Sequence, residues 1–223
     1  MNCCAHNQGL NTIFNDQNAR GEVKDYWKKG IDKRARAVVD AVSARGVEGA
    51  TLLEVGGGIG GLHVELLKRG AAHATDVDVS SAYVAAAQSI TEKLGLRERV
   101  DYRVADFATE ADSVPDADVV IMHRVVCCYP AMPRLVTAAA THAHRLLALT
   151  FPRGAWYMRL GEKLMNFGMW LTRSSFRFYV HPPQGIKEVA LATGMKPVQE
   201  KFSGVWQVVV FERTTPPPAS AQG

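Results

Sequence analysis

Apolar and polar positions change their period at regular intervals between residues 51 and 151. Short apolar runs, typical of buried β-strands, lie at Thr51–Val55, Ala74–Val79, Ala117–Met122 and His144–Phe151. Val100–Val104 alternates, as a half-buried strand does, and the leucine-rich start of the run at His144 fits a preceding helix equally well. Between the runs, apolar residues recur at helical spacing, as in Ile59–Gly70. The pattern predicts an α/β fold, a mainly parallel sheet with helices on both faces.

The C-terminal region follows a different pattern. Met195–Phe202 and Val205–Glu212 are two further predicted strands, and Ser203-Gly204 between them is a typical tight-turn pair. Such a hairpin places one antiparallel strand in the sheet. We therefore assign residues 51–213 to one domain, residues 1–50 to an N-terminal helical region, and the Pro/Ala-rich residues 214–223 to a disordered tail.

Composition limits the class of protein more than its function. The 223 residues are 47% hydrophobic and 22% charged, which excludes a wholly disordered or coiled-coil chain. A net charge of +4 is too small to indicate a nucleic-acid partner. We find no secretory signal, and no apolar run reaches the ~18 residues of a transmembrane segment. The cysteines form two adjacent pairs, Cys3-Cys4 and Cys127-Cys128, which we expect to be reduced thiols of a cytoplasmic protein.

The clearest chemical signal is the segment LEVGGGIGG, residues 53–61, between a predicted strand and a predicted helix. Glycines at such a junction permit a tight turn and let a ligand approach the helix N-terminus. The spacing fits two patterns, G-x-G-x-x-G from Gly56 and E-x-G-x-G-x-G from Glu54. Asp78 ends the next strand, where a carboxylate can accept hydrogen bonds from ribose hydroxyls. Both patterns predict an adenosine-containing ligand, and the alternative is a turn without a ligand.

Two positions distinguish these patterns. Glu54 precedes the first glycine by two residues, where a carboxylate favours a positively charged ligand and repels a pyrophosphate. Asp106 and Phe107 follow the third strand, where the acid can accept from an adenine amino group and the ring can pack on adenine. With Asp76 and Asp78 these acids predict an acidic cleft for a cationic cofactor. The chain also lacks a Tyr-x-x-x-Lys pair, which weighs against the alternative function, a nicotinamide-dependent oxidoreductase.

The motifs LLEVGGGIGG, ATDVDVS, VADF and ADVVIMHRVV resemble, in order and spacing, those of class I S-adenosylmethionine-dependent methyltransferases across about residues 30–213. The resemblance implies a Rossmann-like seven-stranded sheet with an antiparallel last strand, S-adenosylmethionine as cofactor, and transfer of its methyl group to a small-molecule acceptor. We expect the N-terminal helical region, residues 1–50, to flank the cofactor cleft. Gly57 departs from the cysteine that many members carry there. The implied cofactor-binding residues are Glu54, Gly56, Gly57, Gly58, Gly60, Asp78, Val79, Asp106, Phe107 and His123.

Two later segments bear on the subfamily. Thr150–Arg153 with the apolar helix after it, and Phe178–Pro182, are similar to segments of magnesium-protoporphyrin O-methyltransferases. This similarity does not fix a porphyrin acceptor. A second alternative function is a domain that binds the cofactor as a sensor or scaffold, because cofactor motifs alone do not require methyl transfer.

The candidate catalytic residues are His123 and Arg124, directly after the fourth predicted strand. His123 can act as a general base or orient the acceptor, or its ring can simply hydrogen-bond a neighbour. Arg124 can hold a substrate carboxylate or pair with an acid. We expect both residues to face the position of the reacting groups.

Two neighbouring segments complete the expected acceptor site. Cys127-Cys128 offers two soft thiols that fit a metal or metalloid, although small buried hydrophobic side chains are the alternative, and we assign no metal site. Residues 156–170 (WYMRLGEKLMNFGMW) suit a helix over an apolar or aromatic acceptor. Core packing is one alternative for this helix, and a membrane-surface role with Arg159 and Lys163 flanking the apolar face is another.

Overall fold

The structure, a computed structural model, describes residues 9, 10 and 12–214. The main helices are α1 (Asp16–Lys29), α2 (Lys33–Ser43), α3 (Gly61–Lys68), α4 (Ser81–Lys93), α5 (Phe107–Glu110), α6 (Met132–His142), α7 (Trp156–Leu171) and α8 (Pro183–Ala192). The strands are β1 (Thr51–Val55), β2 (His73–Asp78), β3 (Val100–Val104), β4 (Ala117–His123), β5 (Ala143–Pro152), β6 (Met195–Ser203) and β7 (Trp206–Arg213).

The seven strands of this described part form one sheet in the order β3-β2-β1-β4-β5-β7-β6. The pairs from β3 across to β5 are parallel, whereas β7 runs antiparallel to both β5 and β6. The predicted Rossmann-like fold with an antiparallel C-terminal hairpin is therefore confirmed.

Helices cover both faces of the sheet because its central strands are apolar on both sides. Successive side chains of a strand point to opposite faces. In β1, Leu52 packs in the layer that contains α2 and α3, and Leu53 packs in the layer that contains α6 and α8. Both leucines are at most 1% exposed, so each contributes about 1.5–3 kcal/mol of hydrophobic stabilisation.

Successive strands are added to the sheet on opposite sides of β1, and the change of side falls between β1 and β4. From β1 the chain continues to β2 and β3 on one side, whereas β4 and β5 lie on the other side. In an open parallel sheet, this change of side opens a crevice outside the carboxyl ends of the two strands. The fold therefore brings the glycine turn after Val55 and the end of β4 at His123 to one crevice.

Three local predictions are refined. β4 includes His123 as its last residue, one residue beyond the predicted strand. β5 begins at Ala143, so the leucine-rich segment belongs to the strand, where Leu146 pairs with Val119 of β4. α7 contains no buried residue, which contradicts core packing as the reason for its apolar composition.

Some predicted features lie outside the described residues. These are Cys3-Cys4 and the tail 214–223 except Thr214. Within the part of the chain that is described, no helix combines the length and the apolar character needed to cross a bilayer.

Candidate active site

A cavity of about 1290 Å³ lies at the crevice between β1 and β4. It is lined by the segments that follow the first four strands and by residues of α1 and α7. A pocket for one small molecule occupies roughly 300–1,000 Å³. The cavity therefore has room for two ligands side by side.

The glycine turn after β1 passes close to its neighbours. Gly56 has a φ of +64° and donates its N–H to the Val77 carbonyl at 2.7 Å. A Cβ added to Gly56 would lie 2.5 Å from Cγ2 of Val125, so glycine is required on both counts. A Cβ on Gly57 would overlap the carboxylate of Asp76. Glycine at position 57, in place of the cysteine of many family members, therefore leaves room for the Asp76 carboxylate.

Asp78 lies at the end of β2 and borders the cavity. Its Oδ2 accepts the Gly58 N–H at 3.0 Å, and its Oδ1 accepts the Ser80 N–H at 2.8 Å. Burial raises the pKa of Asp78, and the hydrogen bonds from Ser80 and Gly58 oppose that shift. A carboxylate oxygen can accept two hydrogen bonds, so each oxygen can also accept from a ligand hydroxyl.

Glu54 lies beneath the glycine turn, where its partner is His63 of α3. Glu54 Oε2 is 2.7 Å from His63 Nδ1 and accepts the backbone N–H of His63 at 3.1 Å. Both side chains are at most 1% exposed. Glu54 borders the cavity as predicted, but this oxygen joins β1 to the start of α3.

Asp76 is fully buried next to this pair. Burial raises the pKa of Asp76 well above its usual range, and the charges of Glu54 and Asp78 raise it further. Gly57 covers the carboxylate, and Asp76 is absent from the cavity lining. The prediction that Asp76 belongs to the acidic cleft is therefore wrong, because the side chain points beneath the turn.

Asp106 and Phe107 follow β3. Asp106 caps α5 by accepting the Ala108 N–H at 3.1 Å, and its own N–H donates to Glu110 Oε1 at 3.0 Å. This reciprocal arrangement resembles a capping box. The Phe107 ring lies edge-to-face on His142, with ring centres 5.3 Å apart, and both Asp106 and Phe107 border the cavity.

His123 faces the same cavity from the end of β4. Its Nδ1 is 3.1 Å from Thr150 Oγ1 on β5. Burial, together with the nearby Arg124 charge, lowers the pKa of His123 to about 4. The imidazole is therefore neutral at pH 7, where it can hydrogen-bond but does not retain a second proton.

Arg124 has a φ of +65°, a left-handed conformation that costs a non-glycine residue on the order of 1–2 kcal/mol. Its N–H donates to the Thr150 carbonyl at 3.1 Å, and its guanidinium carbon lies 5.4 Å from the centre of the Trp206 ring. Arg34 of α2 lies 5.7 Å from the same ring. These three side chains border the cavity and make that part of it cationic and aromatic.

Comparison with known proteins identifies the domain that contains the glycine turn. Residues 52–149 match the family model described as a methyltransferase domain. The fold is similar to magnesium protoporphyrin IX methyltransferase from Synechocystis PCC 6803 with bound SAH, at a TM-score of 0.67 and 22% identity over 82% of each chain. Residues 52–149 therefore form a methyltransferase domain, and the fold is the one that S-adenosylmethionine-dependent methyltransferases share.

Two further solved structures share the fold of this methyltransferase. An O-methyltransferase family protein from Burkholderia thailandensis has a TM-score of 0.66 and 19% identity over 86% of this chain and 59% of that chain. An O-methyltransferase family 2 protein from Planctomyces limnophilus, in complex with apigenin, has a TM-score of 0.66 and 17% identity over 88% of this chain and 62% of that chain. No curated protein sequence matches the chain.

Cys127 and Cys128 of the methyltransferase lie in one 3-10 turn, Val126–Cys128, and both border the cavity. The two Sγ atoms are 3.9 Å apart, and each lies near the Arg124 carbonyl oxygen, at 3.2 and 3.6 Å. The hydrogen bond between the thiols raises the pKa of Cys127 and lowers the pKa of Cys128. The described residues contain no group of three or more side chains suited to a metal ion.

Helix α1 borders the cavity of the methyltransferase. Hydrogen bonds connect α1 and the residues before it to the start of α4. The Tyr83 hydroxyl donates to Glu22 Oε1 at 2.9 Å, and the Ser80 hydroxyl donates to the Phe14 carbonyl at 2.6 Å. Sequence reasoning missed Tyr83, Glu22 and His63. Each depends on a partner in another element, and no local spacing marks such a pair.

Most predicted cofactor-binding residues of the methyltransferase border the cavity, namely Glu54, Gly56, Gly57, Gly58, Asp78, Val79, Asp106, Phe107 and His123. The exception is Gly60, which precedes α3 and faces the His63 ring rather than the cavity. Contact of these residues with a cofactor stays a prediction.

Proposed function

We propose that the methyltransferase binds S-adenosylmethionine along the glycine turn and methylates a small apolar or aromatic molecule in the cytoplasm. Asp78 carries the proposal. Its two oxygens are fixed by the N–H groups of Gly58 and Ser80 and retain capacity for two ligand hydroxyls. Ribose offers such an adjacent pair of hydroxyls. Gly56 keeps the turn beside Asp78 in its observed conformation, because any Cβ there would clash with Val125.

The remaining parts of the cofactor have matching surroundings. Asp106, Phe107 and Val79 border the cavity after β3 and β2, where they would surround the adenine. Glu54 and the glycine turn would lie next to the methionine part. All the residues named in these assignments border the cavity.

The nature of the acceptor follows from the rest of the cavity lining. The residues that α7 and the segment after it contribute are mostly apolar or aromatic, and include Tyr157, Met158, Met165, Phe176 and Phe178. Arg124 and Trp206 add a cation and an aromatic face. Such a lining favours a flat apolar acceptor with a polar or anionic group at one end.

S-adenosylmethionine supplies a methyl group activated by a positively charged sulfur. The chain has to align the acceptor and exclude water, and α1 and α7 border the cavity in positions suited to that task. His123, neutral and oriented by Thr150, can accept a hydrogen bond from an acceptor hydroxyl. Because the pKa of His123 is about 4, a proton released there passes on to water.

Calorimetry with S-adenosylmethionine, its demethylated product and NAD tests the ligand. We expect both sulfur ligands to bind and NAD not to bind. Tight NAD binding without binding of the sulfonium would restore the oxidoreductase alternative. Asp78→Ala should weaken S-adenosylmethionine binding by about tenfold or more. Asp101→Ala, an exposed site on β3 with a side chain 72% exposed, is the matched control and should bind normally.

A product screen with a labelled methyl donor tests transfer. Tetrapyrroles, quinol precursors, phenols and thiols cover the acceptor classes that the lining suits. Label in any acceptor that depends on Asp78 supports the enzyme. Binding of the cofactor without label transfer to any of these classes would favour the sensor or scaffold alternative.

A further inference from the structure

Helix α7 presents one face to the cavity and its opposite face to solvent. The solvent face carries large apolar side chains spaced four, four, three and four residues apart, at Trp156, Leu160, Leu164, Phe167 and Leu171. At 100° per residue they fall within an arc of about 80°. They are 50–76% exposed. We name these five residues the outer stripe of α7.

The outer stripe differs from ordinary exposed apolar residues because its members are contiguous. Single apolar side chains on a protein surface need no explanation, whereas a continuous exposed patch marks an interaction surface. Trp170 lies beside the stripe, is 62% exposed, and stacks on Phe167 with ring centres 5.8 Å apart. The patch therefore extends over most of the length of the helix.

Positive charge borders the outer stripe on one flank. Lys163 lies about 20° and Arg159 about 60° from its edge, and Arg173 follows the helix C-terminus. All three side chains are exposed, and none forms an ion pair with another described residue. The one acidic residue of the helix, Glu162, lies about 160° from the centre of the stripe and borders the cavity.

These charges distinguish two possible occupants of the surface. Lys163 is at the middle of α7, so an antiparallel pairing of two copies through the stripe would bring the two Lys163 ammonium groups together. No acidic residue on that face of α7 would compensate them. An anionic surface complements the same charges and also accepts the apolar side chains.

We propose that the outer stripe docks the methyltransferase on an anionic lipid membrane. The helix would lie in the plane of the interface, with the stripe among the acyl chains and with Arg159, Lys163 and Arg173 at the lipid phosphates. Tryptophan side chains such as Trp156 are enriched at the membrane–water interface, where the helix would lie. The inference goes beyond the proposed function, since it requires neither cofactor nor acceptor.

Co-sedimentation of the full chain with vesicles tests the proposal. We expect stronger binding to vesicles of phosphatidylcholine with phosphatidylglycerol than to vesicles of phosphatidylcholine alone. The double variant Leu164→Glu/Phe167→Glu should bind at least about tenfold more weakly. Leu191→Glu, at an exposed leucine of α8, is the matched control and should bind as the wild type does.

A charge variant keeps the test decisive if the double variant misfolds. Lys163→Glu changes an exposed helical side chain and should weaken binding to the anionic vesicles about fivefold or more, with little effect on neutral vesicles. Circular dichroism verifies that each variant is folded. Failure of the wild type to bind anionic vesicles would overturn the proposal. A dimer in light scattering that the double variant converts to a monomer, without vesicle binding, would assign the stripe to a second copy instead.

Discussion

Nδ1 of His63 lies 2.7 Å from Oε2 of Glu54, and neither side chain is accessible to solvent. The pair joins the strand before the glycine turn to the helix after it. The turn between them is thereby fixed at both ends. Substitution of either side chain therefore tests how much this junction contributes to stability.

We expect His63→Ala to lower the free energy of unfolding by about 2–4 kcal/mol, because a buried Glu54 carboxylate loses its side-chain partner. Urea denaturation measures the change. His73→Ala is the control, since its contact with Asp101 is exposed and contributes at most about 1 kcal/mol. Equal losses in the two variants would contradict a buried structural role for the Glu54–His63 pair.

Gly57→Ala should destabilise the protein by about 1–3 kcal/mol, because the added Cβ overlaps Asp76 in a site without free space. Thermal unfolding and calorimetric titration of the cofactor measure the effects on the fold and the turn. Gly168→Ala is the matched substitution in α7, where a Cβ meets nothing within 4 Å and alanine favours the helix. A Gly57→Ala protein as stable as Gly168→Ala would show that the turn relaxes freely.

The raised pKa of Asp76 has a definite effect on stability. The folded chain holds this proton at a pH where the unfolded chain has released it, so Asp76 lowers stability as pH rises above its ordinary value of 3.8. Asparagine does not titrate. We therefore expect the stability of Asp76→Asn relative to the wild type to increase from about pH 4 to pH 7 in denaturant titrations. A difference that is constant or decreases over that range would contradict the shift.

His123 should titrate with a midpoint near 4 in NMR spectra of the imidazole, because burial and Arg124 disfavour its charged form. His123→Gln identifies the resonance. Because the pKa of His123 is lowered in the folded protein, the unfolded chain takes up this proton at a higher pH than the folded chain does. His123 therefore reduces stability as pH falls from about 6.5 towards 4. A midpoint close to 6.5 would instead make His123 available as a base that holds its proton near neutrality.

The strands were predictable because a buried parallel strand reads as a short apolar run. β1 matches its predicted range, and β4 differs by the single residue His123. The positions of Asp78 and Asp106 at the cavity were also predictable, because Asp78 ends β2, Asp106 follows β3, and the carboxyl ends of parallel strands lie at the same edge of a sheet. His63 was not, because a histidine within an apolar helix face gives no sign of a carboxylate nine positions earlier.

The environment of α7 could not be read from its sequence. Apolar residues surround the helix on nearly every side, a pattern that core burial and an exposed interaction surface share. Tertiary contacts decide between them, and they leave Trp156 76% exposed. The same limit applies to Gly60, whose spacing fits the glycine motif while its position faces His63.

Trp206, which lies near both Arg34 and Arg124, is the first residue of β7, which follows the other six described strands in the sequence. β7 nevertheless enters the sheet between β5 and β6. During synthesis the chain therefore contains all the predicted cofactor-binding residues, which end at His123, well before it contains Trp206. A chain that ends before residue 206 would keep the glycine turn but lack the Trp206 ring that lines the cavity beside Arg124.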